Sequence, residues 1–374
     1  MLKSFTKIFS SLLILVSFQA FAADLATEEL GYRVTTGANE IKIMSYNAEN
    51  LFDTEHDMGK KDFEFLPKNH PKKIECEKDR NENRRRYCLD TDWTSDKLAI
   101  KISQLKKAVE ASGSIPDVLT LTEVENKKAV QPLATALGYD GVLITNSPDA
   151  RGIDNVILYK REKLTYVNFV DREVVNPMFP TRNLSVAHFR LKRTLRAPGV
   201  IGVYPNHWPS QASPTKSRLI VAEQLVSFIA ENKAKFKGED YYSVVVGDFN
   251  TITADIPSPI DDVLLSKKTD LIDVKVLSDR SKNPMNGRMP PASYFYVVKS
   301  EWNELDRIFV SENLADGRGV EVDAASYRIH APKFLTKVHD NGEMIPFRYN
   351  HRADKANWAG YSDHFALVVK LRLN

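Results

Sequence analysis

The sequence predicts an α/β protein in which two β-sheets pack on each other with helices outside. Three observations predict it. Short apolar, β-branched runs recur along the whole chain, each with the length of a strand. Few helices accompany them, which favours sheet packed on sheet. No Pro/Gly-rich linker, composition break, repeat or low-complexity tract divides residues 23–374, so they read as one domain.

The strand candidates are Ile41–Tyr46, Asp117–Thr122, Asn155–Tyr159, Ser185–Leu191, Val200–Asn206, Tyr242–Val246, Arg307–Val310, Ala324–Ile329 and Phe365–Leu371. Of these, the run through Tyr241–Val246 is apolar except for Ser243, as in a strand covered on both faces. The first helix spans about Ser95 to Ala111, with Leu98, Ile102, Leu105 and Val109 as its stripe and Ser112-Gly113 as its stop. A second spans about Thr215 to Lys235 and lines Leu219, Ala222, Val226 and Ile229 along its buried face. A weaker helix over Lys128–Leu137 ends at Gly138. Ser281–Ala292 and His330–Ala359 read as long surface loops, the second carrying His330, Lys333, Lys337, His339, Arg348, His351, Arg352 and Lys355.

The N-terminus stands apart. Lys3 and Lys7 precede an apolar run from Ile8 to Phe18, and Ala20-Phe21-Ala22 follows, the pattern of a secretory signal over residues 1–22. The expectation is export, to the periplasm or outside the cell, with no stable membrane insertion after cleavage. The run is too short for a mature transmembrane helix, and no later segment is long and apolar enough. An exported chain meets an oxidising compartment. A Cys76–Cys88 disulfide is therefore expected to close the polar, charged loop at 70–90. Two thiols without nearby histidines make a poor zinc site.

Removing residues 1–22 deletes two lysines and no acids, so the formal charge of +3 falls to +1 and does not select a nucleic-acid partner. Locally, Arg182, Arg190, Lys192, Arg193 and Arg196 follow one another without an acid, and Arg84-Arg85-Arg86 forms a second run. Either run can be a solvated face; together they permit a phosphate-rich substrate.

The chemistry lies where strands end. Ile41–Tyr46 ends on Asn47, and Asp117–Thr122 on Glu123. Val200–Tyr204 runs to Asn206-His207, and Tyr242–Val246 to Gly247-Asp248-Phe249-Asn250. Asp306 opens a strand, and Tyr361-Ser362-Asp363-His364 precedes the last one. Asp248 and Asn250, two apart, share one side of an extended chain. If the strands share an edge, these groups converge. They include no thiol nucleophile, and their hard oxygens suit Mg²⁺ or Mn²⁺ better than zinc.

In order and local wording these pieces resemble the endonuclease/exonuclease/phosphatase superfamily, and the resemblance implies its DNase I-like fold, a four-layer sandwich of two mainly antiparallel β-sheets packed face to face with helices outside. The matching segments are Met44–Asn47, Leu121–Glu123, Asn206–Trp208, Gly247–Asn250, Leu305–Ile308 and Ser362–His364, which span nearly the whole mature chain. The longer forms Asn47–Asp53 and Asn206–Ser210 look most like a secreted bacterial branch of extracellular nucleases.

The resemblance implies phosphate-ester hydrolysis with a divalent cation, usually Mg²⁺, with Mn²⁺ or Ca²⁺ as alternatives. By it, Glu123 is the principal metal ligand, Asn47 lies beside metal and phosphate, and Asp363 is a further metal-associated carboxylate. Asp248 orients or deprotonates the attacking water, and Asn250 binds a phosphate oxygen. His364 contacts the phosphate with Asp306 as its carboxylate partner, and His207 supports the transition state or leaving group. Arg182 either meets substrate phosphate or braces the sheet. Glu49, Asp53 and Glu125 are either second-metal acids or solvated loop acids.

The expected substrate is nucleic acid, DNA or RNA, and no protein partner is implied. One alternative is a lipid or small-molecule phosphoesterase, like a sphingomyelinase or an inositol-phosphate phosphatase. No aromatic membrane-entering hairpin is visible in the sequence, which argues against the lipid case. The other alternative is a catalytically silent binding or toxin subunit on the same fold.

Overall fold

The computed structural model describes residues 29–192, 197–266 and 269–374. The expected signal segment, and Arg193 and Arg196 of the basic run, lie outside the described residues. Two six-stranded sheets form the centre. The first has the order β13 (Val320–His330), β16 (Ala366–Leu373), β1 (Glu40–Leu51), β2 (Val118–Val124), β4 (Asp154–Tyr159), β3 (Gly141–Ile144). In the second the order is β5 (Leu164–Arg172), β6 (Leu184–Leu191), β7 (Val200–His207), β8 (Tyr241–Asp248), β12 (Asp306–Ser311), β9 (Leu271–Asp273). Each sheet holds one parallel pair at its centre, β1–β2 and β7–β8, and is otherwise antiparallel. Two small hairpins stand outside the sheets: β10 (Tyr294–Tyr296) with β11 (Glu301–Asn303), and β14 (Thr336–Val338) with β15 (Met344–Pro346).

Alternation along β8 explains its apolar run. Val244 and Val246 point into the core between the sheets, with Ile43, Leu119, Val203 and Val368. Val245 points to the other face, against Phe228, Phe249 and Phe309. Both faces are covered, so no position on the strand needs to be polar until it ends. Helix Ser95–Ala111 buries Leu105, Ala108 and Val109 on the first sheet. Helix Thr215–Ala234 covers the second.

The buried face of helix Thr215–Ala234 is turned from the expected stripe. Val221, Ala222, Leu225, Phe228 and Ile229 are buried, whereas Leu219 and Val226 are only half-buried. Arg218 on the same helix is also buried. Its guanidinium donates to Asp255 and to the carbonyls of Pro209, Ser210 and Ser213, so a charged side chain shares the buried face.

The segment expected as a loop at 70–90 is helical, with a 3₁₀ stretch at Pro71–Lys78 and an α-helix at Glu82–Asp90. Cys76 and Cys88 are bonded, with Cα atoms 5.7 Å apart. Beneath it Phe65 stacks on Phe52 at 4.1 Å and meets the buried Trp93 edge-on. The region 330–359 is likewise not one surface loop. His330 ends β13 fully buried, its ring beside the Ala108 carbonyl at 3.2 Å, and the β14–β15 hairpin follows. Among the described residues, no helix is long and apolar enough to cross a membrane.

The basic run is not one face. Arg182 is buried just before β6, while Arg190 pairs with Glu239 near the strand's far end, roughly 25 Å away at strand rise.

Candidate active site

Strand register assembles the site. Across the second sheet Asp306 of β12 lies opposite Asp248 of β8, and Asp248 lies opposite His207 of β7. Gly247 lets these strands meet: its φ is +130°, and a Cβ there would sit 2.0 Å from the Asn206 carbonyl oxygen. In the first sheet Asn47 pairs with Thr122, which puts Glu123 at the adjoining end of β2. Face-to-face packing then brings the two parallel pairs together. The Asn47 amide donates across the sheets to Asp248 Oδ2 at 3.2 Å.

Four non-glycine residues here have left-handed backbone: Glu49, Asn50, Glu123 and Asn250. Among the described residues only Ser300 does so elsewhere. Each such residue costs about 1 kcal/mol or more, so local strain is concentrated where β1, β2 and β8 end.

Asp248 is buried. Its Oδ1 accepts the Asn250 backbone N–H at 2.8 Å, an Asx turn, and Oδ2 accepts Asn47. Burial pushes its carboxyl up to about 7, opposed by His364 and reinforced by Asp306 and Glu123. His364 is held by Asp306, with Nδ1 2.6 Å from Asp306 Oδ2. Asp306 also accepts the Ser293 hydroxyl at 2.6 Å. Burial alone would lower His364, but Asp306, Asp363 and Asp248 outweigh it and raise the imidazole well above its ordinary value. Its free Nε2 lies 4.0 Å from Asp248 and 3.9 Å from Asp363, and the Tyr294 ring lies 4.8 Å from its own.

His207 is the opposite case. Burial, with Arg182, Arg151 and His364 adding, holds it well below the usual range, so it is neutral. Its Nε2 is 3.7 Å from Glu123 and 3.9 Å from Asp248, and its buried Nδ1 has no partner among the described residues. Arg182 donates to the carbonyls of His207 and Trp208 and reaches Asp149 at 3.4 Å, so its guanidinium braces the end of β7 while lining the cleft. Asn250 donates to the Trp208 carbonyl at 3.1 Å. Asp363 lies toward Arg348, 3.9 Å from its Nη2.

These groups open into a cleft of about 610 Å³. Its walls show residues that single-sequence reading passed over: Arg151, Gln211, Tyr294, Tyr296 and Lys299. The β10–β11 hairpin supplies three of them, so a cleft-side hairpin with aromatic residues does exist. Its strands are too short, at three residues each, to stand out in the sequence.

The model of the Endonuclease/Exonuclease/phosphatase family matches residues 42–373. The chain belongs to that family. Endonucleases, exonucleases and phosphatases share one reaction type, hydrolysis of phosphate esters. Solved structures carry the same fold. The truncated Caenorhabditis elegans TDP2 matches at TM-score 0.51 and 12% identity, over 89% of this chain and 97% of that one. For the human Nocturnin catalytic domain with bound sulfate the values are 0.51 and 15%, over 91% and 97%. A family protein from Bacteroides thetaiotaomicron gives 0.51 and 16%, over 90% and 95%. At these identities the likeness establishes the fold and nothing finer. No curated protein matches the chain.

A hard cation fits one place in this family member. The Glu123 carboxylate is 18% exposed and accepts no hydrogen bond among the described residues; the buried, neutral His207 lies 3.7 Å from it. Asn47 lies alongside, with Oδ1 accepting the Glu49 N–H at 2.9 Å. No three His, Cys, Asp or Glu side chains converge as a cage among the described residues. One carboxylate completed by solvent and substrate oxygens is the mode Mg²⁺ uses. The other candidate acids are spoken for. Glu49 is bound by Arg348 and the Tyr349 N–H, and Glu125 accepts the Asp53 N–H at 2.8 Å. Glu125 and Asp53 are buried, not solvated, and burial pushes Glu125 up to about 9.

Proposed function

We propose that this chain is an exported, divalent-metal-dependent phosphodiesterase that cleaves nucleic acid by direct attack of water. The observation that carries the reading is the row Asp306–Asp248–His207, with His364 on Asp306. It sets a hydrogen-bond acceptor, a protonated imidazole and a neutral imidazole around one open cleft.

Asp248 accepts a proton from water as the water oxygen bonds to phosphorus and the leaving P–O bond breaks. Asn47 holds the carboxylate's orientation. His364 presents a positively charged Nε2–H to the phosphoryl oxygens where charge develops, and Asp306 keeps that proton in place. His207, being neutral, can donate one hydrogen bond toward the leaving oxygen without adding charge, and that oxygen takes its proton from solvent in the open cleft. A divalent cation at Glu123 and Asn47 would neutralise charge on the phosphate as a Lewis acid. Arg151 and Lys299 on the cleft walls, with the Tyr294 and Tyr296 rings, suit phosphates and stacked bases. The Cys76–Cys88 bond supports the reading of export.

One observation favours a second reading. At the β10–β11 tip Val297 is 50% exposed and Val298 81% exposed, apolar surface beside the cleft that suits a lipid interface. The mature chain assayed against plasmid, single-stranded DNA, RNA and sphingomyelin vesicles, with and without EDTA, separates the two. Nicking of plasmid that EDTA abolishes is the expected result. Phosphocholine release with intact nucleic acids would select the lipid reading.

A further inference from the structure

The carboxylates at the strand ends are not equivalent. Glu123 has no hydrogen-bond donor among the described residues, whereas Glu49 is bonded to the guanidinium of Arg348, whose other end lies toward Asp363. The Arg348 guanidinium donates from Nε to Glu49 Oε1 and brings Nη2 to 3.9 Å from Asp363 Oδ2. Tyr349 donates its backbone N–H to Glu49 Oε2 at 2.8 Å, so both Glu49 oxygens are occupied.

The support for this arginine is built in. The Tyr349 hydroxyl donates to the Lys97 carbonyl at 2.9 Å, and its ring meets buried Trp93 edge-on at 6.1 Å. Beneath, the fully buried Lys101 donates to the Tyr361 carbonyl at 2.7 Å and lies 4.3 Å over the Tyr349 ring. Burial pulls the Lys101 amine down to about 8, opposed by Glu49 and Asp363.

We propose that Arg348 is a resident cation: it fills the position between Glu49 and Asp363 that a second divalent ion would take, and so holds the site to one ion, at Glu123. This rests on the reading of Glu123 as a metal ligand. A guanidinium tethered to the chain supplies charge and directed donors without ligand exchange, and unlike a bound ion it cannot be removed by chelators. Glu49 and Asp363 then serve to place Arg348, not to bind metal.

Counting bound Mn²⁺ by calorimetry and by the EPR signal of the free ion tests this without turnover. The expected count is one ion per wild-type mature chain and none in Glu123→Gln at the same concentrations. Arg348→Met, which keeps an aliphatic stem, should bind a second ion, and adding Glu49→Gln should return the count to one. Arg348→Lys should stay at one. Arg348→Gln replaces Arg348→Met if melting in EDTA shows that variant misfolded. A count of one in the charge-removing variant overturns the proposal and leaves the reading of Glu123 standing. Two ions on the wild type also overturn it. No ion on the wild type removes the metal reading and this inference together.

Discussion

The start and the finish of β8 both bury a histidine network, and the two networks are built on opposite terms. At the start, His188 is satisfied on both nitrogens: Nδ1 is 2.6 Å from Asn168 Oδ1, and Nε2 is 3.0 Å from the Tyr241 hydroxyl, which pairs with Tyr204 at 2.6 Å. Burial pulls His188 down to about 4, so it is neutral, donating to Asn168 and accepting from Tyr241. At the finish, among the described residues, His207 has an unpartnered Nδ1, and the Nε2 atoms of His207 and His364 lie 3.7 to 4.0 Å from carboxylates. A closed network spends every donor on architecture. An open one keeps donors and acceptors aimed at a cleft, at a cost in stability.

The comparison is broken most directly at Asp248. Asp248→Asn preserves the shape and removes the acceptor, so kcat should fall about 10³-fold or more. Its folded pKa of about 7 lies above the ordinary carboxylate value. The group's contribution to stability is therefore full at low pH and is lost as pH rises through 7. Asp248→Asn should then melt at or above the wild-type temperature at pH 8. In the wild type, kcat/KM should rise through pH about 7. A bound cation would shift this limb downward, so the limb should move with metal concentration. A kcat loss under tenfold would remove Asp248 from the chemistry.

Asp306→Asn is expected to do less, lowering kcat about 10²-fold. It takes away the main cause of the raised His364 pKa, so the alkaline limb of the rate profile should move to lower pH. An unmoved limb would detach His364 from that limb. The smallest catalytic effect belongs to the closed network. His188→Leu should cost about 1–3 kcal/mol in denaturant unfolding, by stranding Asn168 and Tyr241, while kcat stays within about twofold. A large kcat loss there would erase the distinction between the two ends.

Much of this was legible in the chain. Strands covered on both faces favour apolar side chains, so the polar residues where they end, Asn47, Glu123, His207, Asp248 and Asp306, marked the site, although Lys42, Ser45, Thr120, Thr122, Asn206 and Ser243 are also buried within those strands. What could not be read was of three kinds. Edge strand β5 exposes Thr165, Tyr166, Asn168 and Asp171, which breaks the apolar pattern a strand is recognised by. Lys42, Lys101 and Arg218 look like surface residues, yet are buried because their donors find backbone carbonyls. The Arg348–Glu49 pair joins residues 299 positions apart, and no local signal marks either as the other's partner.

The left-handed backbone at Glu49, Asn50, Glu123 and Asn250 has a consequence for the molecule's tolerance of change. Glycine would relax each of these positions, but at 49 and 123 it would also delete a carboxylate the site uses. The thermal ceiling of this fold is therefore set in part by its chemistry. Libraries selected for heat resistance alone should drift toward glycine at these positions and lose the enzyme while improving the protein.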